Sequence, residues 1–259
     1  MLAIGEKINV MSKTIGPAMK NREAKPIQEL AIAQVEGGAN MLDINIGPAT
    51  KGGPEMMEWL VKTIQEVVSV SLSLDTTNTT AMEAGLKVHK GQALINSASG
   101  EKERLESMLA LAAKYEAKVI GLTLTGAGIP RDVNERAAIA VDIMTACTEK
   151  GVPLENLYLD PLVLPIGVAQ AQAMEVIEAI KMFKQLNDPP LKTVVGLSNI
   201  YNNCPQEVHG LLIRTFLTML MTVGLDAAIL DTLDKDLMNT LKTVQIYQNE
   251  ILYCHSYLE

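Results

Sequence analysis

Cysteine and histidine are scarce in this chain, with three of each in 259 residues. Cys147, Cys204 and Cys254 lie far apart with no CxxC pair, which argues against a disulfide framework and against a cysteine metal site. His89, His209 and His255 are equally scattered, and the first two read as surface residues at helix ends or in loops. Basic residues are also in short supply: 22 Lys and Arg face 30 Asp and Glu, for a net charge of −8. No basic stripe is present to grip a phosphate backbone, so nucleic acid is not an expected partner. No apolar run reaches the length needed to span a membrane. The opening MLAIGEKINVM shows no basic region followed by a long apolar run, so no signal peptide is expected and the cytoplasm is the expected compartment. No linker or low-complexity segment breaks the chain, which reads as one domain over residues 1–259.

What is present is a rhythm. Short apolar runs predict strands over Leu2–Gly5, Met41–Ile46, Ser71–Leu74, Ala93–Ile95, Lys118–Leu124, Leu157–Leu159, Lys192–Gly196 and Ala227–Leu230. Segments of helical spacing fill the intervals: about 26–36, 54–68, 80–89, 101–115, 132–150, 171–186, 211–223 and from about 235 onward. Thr80 with Glu83 reads as a capping box, and Asp132 with Glu135 caps the helix that Gly151 ends. Eight alternating βα units at this length predict an α/β protein with a closed parallel (β/α)8 TIM barrel. A doubly wound sheet would want a Gly-rich phosphate loop after the first strand, and GEKIN is not one.

Five of these strands end alike. MLDINIG, LSLDTTN, ALINSAS, LYLDPLV and GLSN each close on Asp, Asn or Ser. Barrel active sites lie at the C-terminal ends of the strands, which here offer Asp43, Asn45, Asp75, Asn96, Asp160, Ser198 and Asn199. Asp43 and Asn45, two apart, share one side of their strand. A carboxylate takes two parallel N–H bonds from an amino-pyrimidine edge, and an amide can face a donor or an acceptor. The set therefore suits a neutral, planar, hydrogen-bond-rich heterocycle. A phosphorylated substrate would instead want Gly-rich turns after strands seven and eight. Asp and Asn after a strand also cap helices, Asp160 before Pro161 fits a turn opener, and Asn45 before Gly-Pro fits a structural role. Recurrence on strand after strand is what favours a site. Met219 and Met221 read as core or subunit interface, and nothing near Cys204 in sequence marks it as an activated nucleophile.

The segments GEKIN, DINIGPA, LDTTN, LINS, LDPL and VVGLSN, in this order over nearly the whole chain, resemble the pterin-binding methyltransferases. They are most similar to the methyltetrahydrofolate:corrinoid/iron–sulfur protein methyltransferases. The resemblance implies a homodimer of (β/α)8 barrels. It implies methyl transfer between N5 of methyltetrahydrofolate and the cobalt of a corrinoid carried by a separate protein, with no metal held by the barrel itself. The direction stays open: folate to corrinoid, as in acetyl-CoA synthesis, or the reverse, as in the second transferase of an O-demethylase system. By the same resemblance Asp75, Asn96 and Asp160 bind the pterin ring, Gly196 and Ser198 form the wall beside it, and Asn199 hydrogen-bonds near N5. Asp43 and Asn45 line the same cavity. After NIYNNC the chain departs from the pattern and reads PQEVHGLLIRTF. Asn202 stands where the family has a glutamine, and no arginine follows until Arg214. The rival readings are a dihydropteroate synthase-like enzyme, which would want basic residues at the late strand ends, the barrel of a much longer methionine synthase, and a folate-binding barrel without catalysis.

Overall fold

A computed structural model of the chain describes residues 1–49 and 51–258. The strands are β1 (Leu2–Asn9), β2 (Met41–Gly47), β3 (Ser71–Thr76), β4 (Leu94–Ser99), β5 (Lys118–Leu122), β6 (Leu157–Asp160), β7 (Lys192–Gly196) and β8 (Ala227–Leu230). They pair in chain order, all parallel, and β8 returns to β1 to close the barrel. The helices are α1 (Ile15–Asn21), α2 (Ala24–Glu36), α3 (Gly53–Gln65), α4 (Thr79–Val88), α5 (Lys102–Lys114), α6 (Val133–Lys150), α7 (Ile166–Ala169), α8 (Gln172–Phe183), α9 (Gln206–Thr222) and α10 (Lys235–Tyr247). The expected (β/α)8 architecture is the one found. Among the described residues no helix is long and apolar enough to cross a membrane.

Local chemistry sets most boundaries. Asp132 caps α6 by accepting from the backbone N–H groups of Asn134 and Glu135, and Gly151 closes it in the left-handed conformation at φ 73°. The capping box expected at Thr80 is not formed. The cap falls two residues earlier, at Asn78, which accepts from Ala81 N at 3.0 Å and from the Thr80 hydroxyl at 2.7 Å. Glu83 turns outward to Lys114 and Tyr115. Helix α1, too short to show a periodic face, was not expected, and α9 begins at Gln206 rather than near Leu211. His89 is a structural residue rather than a surface one. Its Nε2 accepts from Leu72 N at 3.1 Å while Nδ1 meets the Gly91 carbonyl at 3.1 Å, which requires a neutral ring, and burial pushes its pKa down.

Side chains alternate along each strand, and the two faces have different fates. Leu42, Leu72, Leu74, Ile95, Val119 and Leu159 face the helices in one buried cluster. Ile4, Met41, Leu94, Ile120, Tyr158, Val194 and Ala227 form a separate cluster that fills the barrel interior. One step further along the same faces stand Glu6, Asp43, Asn96, Leu122, Asp160, Gly196 and Ile229, each two residues beyond a member of that plug. The lower layer is apolar and the upper layer is largely polar.

Strand β1 is longer than its apolar run and carries a bulge. Its register against β2 runs Ile4 to Met41 and Gly5 to Leu42, then shifts, so that Ile8 meets Ile44 and Asn9 meets Asn45. A bulge inserts an extra residue and re-aims the side chains that follow. Glu6 and Asn9 both come to face the barrel mouth, while Ile8 packs among the helices. The bulge is held from outside. Gln34 of α2, fully buried, accepts from Lys7 N at 2.9 Å. Gly5 leaves room for that contact, since a Cβ there would lie 2.6 Å from Gln34 Oε1. Replacing Gln34 by Leu leaves the Lys7 N–H without its acceptor. Loss of about 1–3 kcal/mol is expected, read as a lower urea midpoint at unchanged slope, and an unchanged midpoint would show that the bulge stands without Gln34.

Candidate functional site

The mouth of the barrel encloses a cavity of about 260 Å³. Each lining residue comes from a strand end or the turn after it. Strand β1 supplies Glu6 and Asn9, β2 supplies Asp43 and Asn45, β3 supplies Asp75, and β4 supplies Asn96 and Ser97. Leu122, Asp160 and Leu162 follow from β5 and β6, and Gly196, Ser198, Asn199 and Ile229 from β7 and β8. Four carboxyl and four amide side chains thus share one space, and no Lys, Arg or His is among its lining residues.

The carboxyls are partnered by neutral donors. Asp43, 4% exposed, accepts from the Ser73 hydroxyl at 2.6 Å and from Asn96 Nδ2 at 3.1 Å. Burial outweighs these donors and pushes its pKa up to about 6. Asp75 accepts a close hydrogen bond from Asn45 Nδ2, and Asn45 Oδ1 in turn accepts from Gly47 N at 2.9 Å. Burial, followed by the neighbouring charge of Asp43, pushes Asp75 up to about 8, opposed by Asn45 and the Arg104 guanidinium. Asp160 rises to about 7, again through burial, although it accepts from Leu162 N at 2.8 Å and lies in the field of Arg136. Glu6 accepts from the Ser198 hydroxyl at 2.8 Å, and burial raises its pKa as well. Each group is a carboxyl whose charged form lacks a cationic partner in the cavity, the condition that raises a pKa.

Two supports lie behind the lining. Arg136 of α6 is fully buried and spans the turn after β6, donating from Nε to the Pro161 carbonyl at 2.7 Å and from Nη2 to Gln172 Oε1 at 2.7 Å. That turn holds Leu162 in the left-handed region at φ 66°, a strained conformation of the kind that gathers at functional sites. After β7 a 3₁₀ turn over Leu197–Tyr201 carries Ser198 inward and leaves Asn199 exposed at the mouth. Gly196 makes room for Asn199, because a Cβ there would come within 3.0 Å of its Nδ2.

Asp43, Asn45, Asp75, Asn96, Asp160, Gly196, Ser198 and Asn199 therefore meet in one cavity. Asn202 does not join them. The 3₁₀ turn ends just before it, so Asn202 is exposed on the rim, outside the lining, with its Nδ2 at 3.3 Å from Asn199 Oδ1. His209 stacks on Tyr201 at 4.2 Å between ring centroids, and its Nε2 meets the Cys204 carbonyl at 2.8 Å. It braces the loop rather than standing free at the surface. Glu6 and Asn9 were not expected in the lining. The apolar run of β1 stops at Gly5; Glu6 follows Ile4 inward by alternation, and the bulge turns Asn9 inward as well. Ser97, Leu122, Leu162 and Ile229 carry no signal of their own in sequence beyond following a strand.

Residues 5–229 match the model of a family described as pterin binding enzyme. The chain belongs to this family. Among its relatives, the methylcorrinoid:tetrahydrofolate methyltransferase of Eubacterium limosum is 25% identical over 99% of this chain and 94% of its own length. The methionine synthase of Mycobacterium leprae is 29% identical over 88% of this chain, but the match covers 20% of that protein, so this pterin-binding barrel spans about a fifth of it. Among solved structures, the dihydropteroate synthase of Vibrio fischeri ES114 superposes with a TM-score of 0.75 at 14% identity, covering 97% of this chain and 94% of the other. That of Stenotrophomonas maltophilia gives 0.72 at 20%, covering 98% and 94%. At these identities the structural likeness establishes the fold alone.

The raised pKa values have a consequence for stability. Asp75 keeps its proton to about pH 8 in the fold against 3.8 when exposed, so the folded state binds more protons between those values. Its contribution to stability is full below about pH 3.8 and is lost as pH rises toward 8. Asp75→Asn removes the ionisation and keeps an oxygen for Asn45. Its melting temperature is expected to exceed the wild type's at pH 8 by several degrees, at about 2–4 °C per kcal/mol, with the gain vanishing near pH 4. A variant that melts lower at pH 8 would mean that the ionised carboxylate stabilises the fold.

Proposed function

We propose that this pterin-binding barrel moves a methyl group between N5 of methyltetrahydrofolate and the cobalt of a corrinoid carried by a separate cytoplasmic protein, the chain itself supplying neither metal nor corrinoid. The observation that carries this reading is the lining: carboxyls and amides in one cavity, with no cation. Asp75, Asn96 and Asp160 hold the donor and acceptor edge of the pterin ring. Asn45 and Asp43 orient Asp75 and Asn96 from below. Gly196 and Ser198 form the wall, and Asn199 stands at the open mouth, where N5 faces the partner.

The chemistry asked of the site is modest. An amine is a poor leaving group unless it gains a proton or a strong hydrogen bond. A neutral amide can stabilise charge appearing at N5 by turning its donor or acceptor toward it, and placement of this kind is a large source of rate. The attacking or receiving cobalt belongs to the second substrate. Transfer from methylcorrinoid to tetrahydrofolate is the direction in the name of the Eubacterium limosum relative, and it is the direction we favour here. A dihydropteroate synthase-like reaction would have to manage a pyrophosphate leaving group, and a lining without a cation does not suit it.

Anaerobic mixing of the protein with methyltetrahydrofolate and Co(I) cobalamin, followed by the cobalt absorbance, and the reverse with methylcobalamin and tetrahydrofolate, test this. Turnover is expected in both directions, lowered at least about 100-fold in Asn199→Ala, the scale of a lost transition-state donor. Asp160 must be ionised to accept two N–H bonds, and it titrates at about 7 in the empty site. Binding of methyltetrahydrofolate is therefore expected to weaken as pH falls from 8 to 6. Saturable binding without transfer to any corrinoid protein would make the chain a folate binder.

The homodimer belongs to the same reading. Helices α7, α8 and α9 border an apolar groove of about 470 Å³ in which Met174, Leu211 and Met219 are exposed. We assign it to a second copy of the chain. Sedimentation equilibrium is expected to give a dimer for the wild type and a monomer for Leu211→Glu with Met219→Glu; a wild-type monomer at micromolar concentration removes this assignment.

A further inference from the structure

The proposed reaction leaves one atom unassigned. When the methyl group leaves N5, the nitrogen keeps the electron pair of the broken N–C bond and must gain a proton. When the methyl group returns, that proton must leave. The lining holds four carboxyls, and three are engaged with the floor of the site. Asp43 receives Ser73 and Asn96, Asp75 receives Asn45, and Asp160 receives the backbone of Leu162. The fourth, Glu6, has its hydrogen bond on the other wall, from the hydroxyl of Ser198, the residue next to Asn199. We propose that Glu6 is the proton store of the site and that the Ser198 hydroxyl passes its proton to and from the folate nitrogen at Asn199.

Three further observations support this assignment, which rests on the methyl-transfer reading. First, Glu6 faces the cavity by strand alternation, two residues beyond Ile4, and the bulge that follows Gly5, held by buried Gln34, turns Asn9 in beside it. Without the register shift, Glu6 and Asn9 would not share the mouth. Second, the cation beside Glu6 is committed elsewhere. The Lys7 ammonium lies 2.6 Å from Asp231 across the rim. Glu6 is left with a hydroxyl as its partner rather than a positive charge. Third, the groups that face Glu6 balance toward a proton. Burial is the largest influence and raises its pKa, and the charges of Asp231 on the turn after β8 and Asp43 on β2 raise it further. The Ser198 hydrogen bond and the field of Lys7, each larger than the effect of either carboxylate, lower it without outweighing burial. Tyr201, at the end of the same turn, is itself pushed up by burial and is uncharged at neutral pH.

The proton balance is as follows. In demethylation, the cobalt(I) electron pair forms the Co–C bond, the N–C pair stays on N5, and N5 takes the hydroxyl proton of Ser198, which takes the carboxyl proton of Glu6. Glu6 is left ionised and regains a proton from water. Methylation of tetrahydrofolate runs the same path backwards and leaves the proton on Glu6. Demethylation therefore needs Glu6 protonated and slows as pH rises through its titration, whereas methylation needs the carboxylate and quickens over the same range.

Glu6→Gln tests this, because the amide oxygen still accepts from Ser198 but the group cannot ionise. Methyltetrahydrofolate binding is measured by calorimetry in two buffers of different ionisation heat, and turnover with cobalamin is followed from pH 5.5 to 8.5. For Glu6→Gln a Kd within about threefold of wild type is expected, together with a changed proton count on binding, a kcat at least 30-fold lower, and no pH limb in either direction. Ser198→Ala is expected to bind normally, to lose kcat, and to keep the limb displaced upward in pH, since the bond that favours the carboxylate is gone. A Glu6→Gln enzyme with wild-type kcat and pH profile, or one whose loss lies wholly in Kd, overturns the Glu6 assignment and leaves methyl transfer intact. A wild-type protein that binds no methyltetrahydrofolate overturns both.

Discussion

The apolar plug inside the barrel is the constraint on which the site depends. Ile4, Met41, Leu94, Ile120, Tyr158, Val194 and Ala227 close the interior from below, so water reaches the next layer only from the mouth. Side chains alternate along a strand, and the next inward residues therefore stand on a dry floor. A carboxyl placed there loses hydration and must find donors or hold a proton. The sequence places Asp43, Asp75 and Asp160 at this level and surrounds them with Ser73, Asn96 and Asn45 instead of lysine or arginine. A cation would have neutralised them and filled the space a flat heterocycle needs. Neutral donors fix their orientation and leave part of each carboxyl free for a ligand.

The same layering explains why parts of the molecule far from the mouth matter to it. Gln34 lies on an outer helix, yet it accepts from the backbone of the bulge that turns Asn9 in beside Glu6. Arg136 is a buried cation whose bonds go to the Pro130 and Pro161 carbonyls and to Gln172. It locks the turn that presents Asp160 without sitting in the cavity. Charge is thus used behind the lining, where it positions, and kept out of the lining, where it would compete with the ligand for the carboxylates.

How much of this was legible in the sequence depends on what sets each feature. The barrel was readable because eight apolar runs alternate with helical segments, and most of the lining was readable because Asp75, Asn96 and Asp160 directly end their runs while Asp43 and Asn45 share one side of theirs. Their inward direction follows from strand parity, which local spacing encodes. Asn9 was not readable, because a bulge reverses parity and the residue that holds it, Gln34, lies in another element; Glu6 was missed because the apolar run of its strand stops at Gly5, although alternation from Ile4 points it inward. Asn202 was expected at the site because it stands where the resembled family has a glutamine, but a 3₁₀ turn over Leu197–Tyr201 leaves it on the rim. The capping role of Asn78 over Thr80 turned on two residues of helix start, below the resolution of periodicity. His89 and His209 lie at helix ends as expected, but their bracing contacts were not readable, because the partners, Leu72 N and the Tyr201 ring, become neighbours only when the chain folds.

A pterin supplies donors that the lining itself does not offer its carboxyls. Its fused rings carry N–H donors along one edge, the groups that raised carboxyls need in order to ionise without a cation. In the proposed complex, ligand binding and carboxylate ionisation are one event: each N–H bond lowers the cost of the charge it meets, and each charge strengthens the bond. The stability withheld by the empty cavity then reappears as affinity. This division also fixes where affinity ends and chemistry begins. The floor groups meet the far edge of the ring and treat substrate and product alike, because the methyl group is not there. Glu6, Ser198 and Asn199 stand on the wall and at the mouth, where the reacting nitrogen would lie. Only they can distinguish the two states of N5, and differential interaction is what lowers a barrier. A barrel with an intact floor and an altered wall would bind folate and transfer nothing.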